Sequence, residues 1–168
     1  AARALIFRDG RLLLARCRDA DGDWYMAPGG GQHEGESLPE TLVRECREEL
    51  GAEVEVLGLC FVRDYIVARH AFSYLDEAAH QLEVFFECRV SEDYQAGLGD
   101  EPDSRQIGVV WADHAMLAGA RVYPAQLKRL VSAEGRSDLP LSDLPLPICP
   151  LSSARSVPAD FWRLKVGP

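Results

Sequence analysis

No stretch of the chain approaches the ~20 consecutive apolar residues that a membrane span requires. No signal-peptide pattern stands at the N-terminus, so the expected location is the cytoplasm and no membrane partner is expected. The chain starts at Ala1 rather than at Met, which points to removed N-terminal sequence. Paired cysteines are lacking too. Cys17, Cys46, Cys60, Cys88 and Cys149 are odd in number and form no C-x-x-C, so they suggest neither a disulfide framework nor a zinc knuckle and read as reduced, packing cysteines. Positive charge is scarce: 18 Lys+Arg against 27 Asp+Glu leave a net charge of −9, so no nucleic-acid partner held by neutralising many phosphates is expected. Small polyanions stay possible if a metal bridges them to the protein. Internal repeats are absent. What is there, 168 residues with 47% hydrophobic and 27% charged side chains, suits one soluble domain with a tail.

Ala4 to Phe7 and Arg11 to Ala15 are apolar stretches, and the Asp9-Gly10 pair between them predicts a two-stranded hairpin. The polar stretch from Cys17 to Asp23 reads as a connection to Trp24-Tyr25-Met26. Ala27-Pro28-Gly29-Gly30-Gly31 follows as a loop whose glycines permit backbone geometry that a Cβ would resist. Ser37, Pro39 and Glu40 combine a cap, a first-turn proline and a glutamate three residues after the cap, which predicts a helix start, and Gly51 is its stop. Val54 to Val62, Leu82 to Val90 and Ile107 to Trp111 are expected strands of a mixed sheet. Tyr123-Pro124 opens an expected short helix through Val131, with Leu127, Leu130 and Val131 at helical spacing. Pro140, Pro145, Pro147, Pro150, Pro158 and Pro168 are six of the ten prolines. Residues 1–131 are therefore expected to form the domain and 132–168 a Pro-rich tail, partly packed on the domain or on a partner subunit.

The chemistry is concentrated in Gly30 to Ala52, GGQHEGESLPETLVRECREELGA. Leu42, Val43, Cys46 and Leu50 form an apolar stripe that would dock the helix on the sheet. Glu45, Glu48 and Glu49 fall at i, i+3 and i+4 on the neighbouring face, where like charges repel by a few tenths of a kcal/mol. A hard divalent cation would remove that penalty. Glu-rich helices with interleaved arginine are also common solvated faces, and Arg44, placed to meet Glu48 or Glu36, and Arg47 would offset part of the charge.

With its flanks, the segment resembles the Nudix box, G-x5-E-x7-R-E-U-x-E-E-x-G-U with U apolar. Gly30, Glu36, Arg44, Glu45, Glu48, Glu49 and Gly51 match every fixed position, while Cys46 and Ala52 stand where Ile, Leu or Val is usual. The resemblance implies an α/β fold, an α/β/α sandwich with a mixed sheet. It implies Glu45, Glu48, Glu49 and the Gly29 carbonyl as ligands of Mg²⁺ or Mn²⁺, and an ion pair of Glu36 with Arg44 that holds the loop against the helix. It also implies metal-assisted hydrolysis of a phosphoanhydride in a small nucleotide-like substrate, with Glu45 or Glu48, or Glu101 from the loop Gly97 to Asp103, as general base. Asp100 and Asp103 compete with Glu101, and a solvated acidic turn reads the loop equally well.

Arg63, Arg69 and Arg105 are candidates to clamp phosphate, and Trp24, Tyr25, Phe61 and Tyr65 to stack on a base. Gly30 and Gly31 would approach the substrate through their backbone. His33 reads as a solvent-exposed loop histidine, and His80 and Glu83, three apart in a strand, do not make a metal pair. No proline lies between Gly51 and Pro102, and Tyr65 falls early for the tyrosine of dinucleoside polyphosphate hydrolases, so no subgroup marker names the substrate. A ligand-binding regulatory module without turnover is the alternative, and the intact box glutamates speak against it. Prenyl diphosphate isomerisation would need Cys and Glu motifs that cannot be placed. Phe161, Trp162 and Leu164 in the tail are candidates to meet a second subunit, for which a homodimer is the expectation.

Overall fold

The computed structural model describes residues 1–66 and 80–136. Asp9 and Gly10 both take positive φ, 49° and 69°, and close a two-residue hairpin between β1 (Ala2–Arg8) and β2 (Arg11–Asp19). β2 runs four residues further than the apolar stretch and turns at Ala20-Asp21 into β3 (Gly22–Met26). The stretch expected to be a mere connection is therefore a second hairpin. Its polarity is that of an outward strand face: Arg16 and Arg18 both pair with Asp23 across the ladder, while Cys17 between them is buried.

α1 (Leu38–Leu50) begins at a capping box of Ser37 and Glu40 and ends at Gly51 in the left-handed region, φ 61°. The expected strands follow as β4 (Val54–Ile66), β5 (His80–Val90) and β6 (Gln106–Ala112). α2 (His114–Gly119), capped by Asp113, was not anticipated because six residues are too few for a periodic signal. The helix expected from Tyr123 to Val131 is instead β7 (Arg121–Tyr123) and a 3-10 helix (Ala125–Leu130), in which the Leu127 amide donates to the Pro124 carbonyl three residues back, at 3.0 Å. β8 (Val131–Ser132) and β9 (Gly135–Arg136) form a small separate pair. Most of the tail, with Pro140 and beyond, Cys149, Phe161, Trp162 and Leu164, lies outside the described residues, as does Arg69.

The sheet order is β4-β5-β1-β2-β3-β7, with β6 pairing β2. β1 is parallel to β5 and β3 to β7, and the other pairings are antiparallel, so the sheet is mixed as expected. Alternation sends Ala2, Ala4, Ile6, Val84, Phe86 and Cys88 into one core cluster, where Leu42, Cys46 and Leu50 of α1 dock. Leu5, Phe61 and Phe85 enter the other cluster with Leu117 of α2 and with Leu127 and Leu130 of the 3-10 helix. Helices on both faces of a mixed sheet make the α/β/α sandwich. Cys46 and Ala52, the two unusual box positions, are both buried in the first cluster. Cys17, Cys46, Cys60 and Cys88 are buried, and none forms a disulfide among the described residues. Among the described residues no helix is long and apolar enough to cross a membrane.

Candidate active site

The glycine turn is sewn to the first strand. Ala2 and Ala4 amides donate to the Gly30 and Pro28 carbonyls at 2.9 and 2.8 Å. A Cβ on Gly29, whose φ is 123°, would lie 2.2 Å from the Ala2 carbonyl oxygen, so no other residue fits. This turn faces the last two turns of α1. The Gly29 amide donates to Glu49 at 2.8 Å, and a Cβ on Gly30 would stand 2.4 Å from a carboxylate oxygen of Glu45.

Arg44 organises the rest of the cluster. It holds Glu36 through Nε and Nη2 at 2.6 and 3.0 Å, and one terminal nitrogen meets both Glu45 and Glu48, at 3.0 and 2.9 Å. It also donates to the Gly31 carbonyl at 2.8 Å. The arginine thus makes both of the contacts that its spacing allowed. Arg47 pairs with Glu53 instead and acts on Glu48 only through its charge at longer range. His33 is exposed, its ring nitrogen 3.8 Å from Glu36.

Side-chain exposure falls from 30% at Glu48 to 14% at Glu45, and Glu49 is 5% exposed. Burial raises the pKa of Glu45 and pushes that of Glu49 up to about 7, while Arg44 pulls that of Glu36 down to about 2. The three glutamates also sit toward the negative end of the helix dipole, which disfavours added anions there. As placed, no three acidic, His or Cys side chains among the described residues converge on one point, because Arg44 stands against Glu45 and Glu48 while Glu49 turns inward to Gly29. The Gly29 carbonyl accepts from Arg3. The donor set is all oxygen, and the space a Cβ would fill at Gly30 is kept for the Glu45 carboxylate, so the residues fit a hard dication that displaces these arginine contacts.

The loop after β5 splices onto the end of α1. Gly99 and Glu101 amides donate to the Glu49 and Glu48 carbonyls, both at 3.1 Å, and the Gln106 side chain donates to the Glu49 carbonyl at 2.9 Å. Tyr94 donates its hydroxyl to the Leu50 carbonyl at 2.9 Å. The acidic stretch is therefore a helix clamp. Asp100, Glu101 and Asp103 are all exposed, and Asp103 also lines a cleft of about 490 Å³ and acts electrostatically on Glu49.

That cleft joins β1, β3, β4, β5 and β7, with Arg3, Arg63, Arg105, Trp24, Tyr65 and Tyr123 among its walls. Arg63, Tyr65, Trp24 and Arg105 thus come together as the sequence suggested. Phe61 does not join them: it stacks on Phe85 in the core, ring centroids 4.3 Å apart, and Tyr25 packs against the same core. Arg3, Glu83 and Tyr123 were missed. A charged residue between Ala2 and Ala4, and another between Leu82 and Val84, were the available signals. A larger hollow of about 690 Å³ beside the first hairpin, lined by Asp9, Arg11 and His114, shares no residue with box or cleft, so size does not choose the site.

The comparisons agree with this geometry. A segment of 50 residues is 44% identical to an RNA pyrophosphohydrolase of Gluconobacter oxydans, covering 30% of this chain and 29% of that one. Another of 57 residues is 49% identical to a CTP pyrophosphohydrolase of Escherichia coli, covering 32% and 41%. The chain thus matches well under half the length of each of these curated relatives. A solved MutT NUDIX hydrolase from Burkholderia pseudomallei superposes with a TM-score of 0.57 at 26% identity, over 76% of this chain and 92% of that one. The NUDIX domain family model matches residues 1–131, and with the box, its helix and the sandwich in place, the chain belongs to the NUDIX domain family.

Proposed function

We propose that the chain is a metal-dependent hydrolase that cleaves the phosphoanhydride of a nucleoside diphosphate linked to a further group, in the nucleotide sugar, dinucleotide or nucleoside triphosphate class. The single observation that carries this is the seating of Glu49 and Glu45 against the Gly29-Gly30 turn, with Glu48 tied to Glu45 through Arg44, close to residues of a cleft of about 490 Å³, a volume suited to a small ligand. Glu45, Glu48, Glu49 and the Gly29 carbonyl would hold Mg²⁺ or Mn²⁺. When bound, such an ion neutralises charge developing on a diphosphate and lowers the pKa of a water.

The chain's own groups divide the remaining work. Arg44, fixed by Glu36, holds Glu45 and Glu48 at the site until a dication takes their oxygens, and either carboxylate can take the proton of the attacking water. Glu101 is the loop candidate for that role, and the cleft position of Asp103 favours Asp103 over it. Arg63, Tyr65 and the backbone of Gly30 and Gly31 receive the nucleotide. We assign residues 1–131 to the hydrolase domain and 132–168 to its tail, with the cytoplasm as place of work. A homodimer is included, supported by exposed Leu57 and Leu59 on β4, at the end of the sheet order; a monomer mass in light scattering would remove it.

The test is a panel of nucleoside triphosphates, nucleotide sugars, dinucleotides and triphosphorylated RNA, each with Mg²⁺ or Mn²⁺. The relative named for CTP puts triphosphates first, and the relative named for RNA puts RNA in the panel, although the net charge of −9 disfavours it. Phosphate-containing products are expected from a small nucleotide and are lost in Glu49→Gln with unchanged circular dichroism. Thermal stabilisation by nucleotides without turnover in the parent would sink the hydrolase and support a binding module.

A further inference from the structure

In the wall of that cleft, one acid holds two cations in the sheet. Glu83 of β5 is 4% exposed and Arg63, directly opposite in the β4–β5 register, is 5% exposed. Arg63 donates through Nε to one oxygen of Glu83, and Arg3 of β1 donates through Nε to the other at 3.2 Å. Arg3 reaches on to the Gly29 carbonyl, while the Arg63 guanidinium lies 5.3 Å from the centre of the Tyr65 ring. A continuous row of groups therefore runs from the metal-binding turn to the aromatic wall.

Burying three charges is costly unless they are well paired, and this set is paired unequally: two cations share one anion and leave one positive charge over. The surplus lies in the cleft that all three residues line. Each arginine spends its Nε on Glu83, so the planar forks are fixed in place; one terminal nitrogen of Arg3 holds the Gly29 carbonyl, and among the described residues the remaining terminal nitrogens can serve a ligand. A nucleotide with its scissile phosphates at α1 and its base at Tyr65 would bring its nucleoside monophosphate portion past this pair.

We propose that Glu83 is a positioning residue that fixes Arg3 and Arg63 as a paired cationic seat for the nucleoside monophosphate portion of the substrate. This rests on the hydrolase reading for the substrate's identity, but the seat itself needs no metal. The test titrates nucleoside monophosphates into the full chain in EDTA by calorimetry, beside steady-state kinetics with the best nucleotide of the panel. The parent binds; Glu83→Gln weakens that binding about tenfold and raises KM by a similar factor, because a charged hydrogen-bond partner is lost, and Glu83→Asp recovers part. kcat stays within about threefold, the pattern of lost ground-state binding. Should Glu83→Gln fail to fold, Arg63→Met, which keeps the Arg3–Glu83 pair, is read in its place with the same expectation. No monophosphate binding by the parent in EDTA, unchanged affinity in a folded variant, or a loss confined to kcat overturns the proposal. Monophosphate binding that depends on Glu83 in a chain that turns over no nucleotide supports the seat and overturns the hydrolysis.

Discussion

Gly30 is where a single methyl group separates stability from chemistry. A Cβ there would overlap the Glu45 carboxylate at 2.4 Å, but a carboxylate is the free end of a flexible side chain and can swing aside. Gly30→Ala is therefore expected to melt close to the parent and to lose about a hundredfold in kcat, since misplacing a ligand by an ångström has that scale of effect. Parallel melting curves and turnover measurements check it, and an unimpaired kcat would show that Glu45 need not stand where it does. Gly29 makes the contrast, because its Cβ would strike the Ala2 backbone, which cannot move aside.

Glu36 and Asp23 are expected to contribute to the acid sensitivity of the fold. Arginines hold both near 2, below ordinary values of 4.5 and 3.8. A carboxylate whose folded value is depressed stabilises the fold above its unfolded value and loses that contribution as the pH falls toward the folded one. The melting temperature should accordingly drop between about pH 4.5 and 2, and Glu36→Gln should flatten the drop. An equally steep drop in Glu36→Gln would mean that other groups control it. Residues near one another in the chain were legible in this way: Glu36, Arg44, Glu45, Glu48 and Glu49 fall within two turns of helix and its leading loop. Arg3 and Glu83 are 80 positions apart, and no local pattern could join them.

At the scale of elements, α1 was legible at both ends because its stops are made by short-range chemistry. Ser37 and Glu40 satisfy amides at one end, a cap typically worth about 1 kcal/mol, and Gly51 turns the chain at the other. The strands β4, β5 and β6 were legible from their apolar runs. The second hairpin was not, because its outward face carries arginines paired to Asp23, and charge within a strand looks like a loop until its partner is known. α2 and the 3-10 helix are held by the core beneath Leu117 and Leu127 more than by any periodicity of their own. The role of the 97–103 loop was hidden for a different reason. Its acidic side chains suggested chemistry, but its backbone amides do the structural work, and every residue except proline carries one.

For the whole molecule, the sandwich brings the box helix to one side of β1 and the arginine row to the other, so Arg3 and the Gly29 turn link the two halves of the site. The loop splice at the end of α1 adds a second link, since carbonyls of the last helical turn accept hydrogen bonds from residues some fifty positions away. An opening of the loop must break bonds that close the helix. In deuterium oxide, the amides of Gly99 and Glu101 should then exchange at the pace of the Glu48 and Glu49 helix turn rather than at the pace of irregular surface backbone. Fast exchange at these two amides with a protected helix would mean that the splice opens independently. Slow, matched exchange would mean that any ligand moving Asp103 in the cleft also pulls on the glutamates that precede it in the chain.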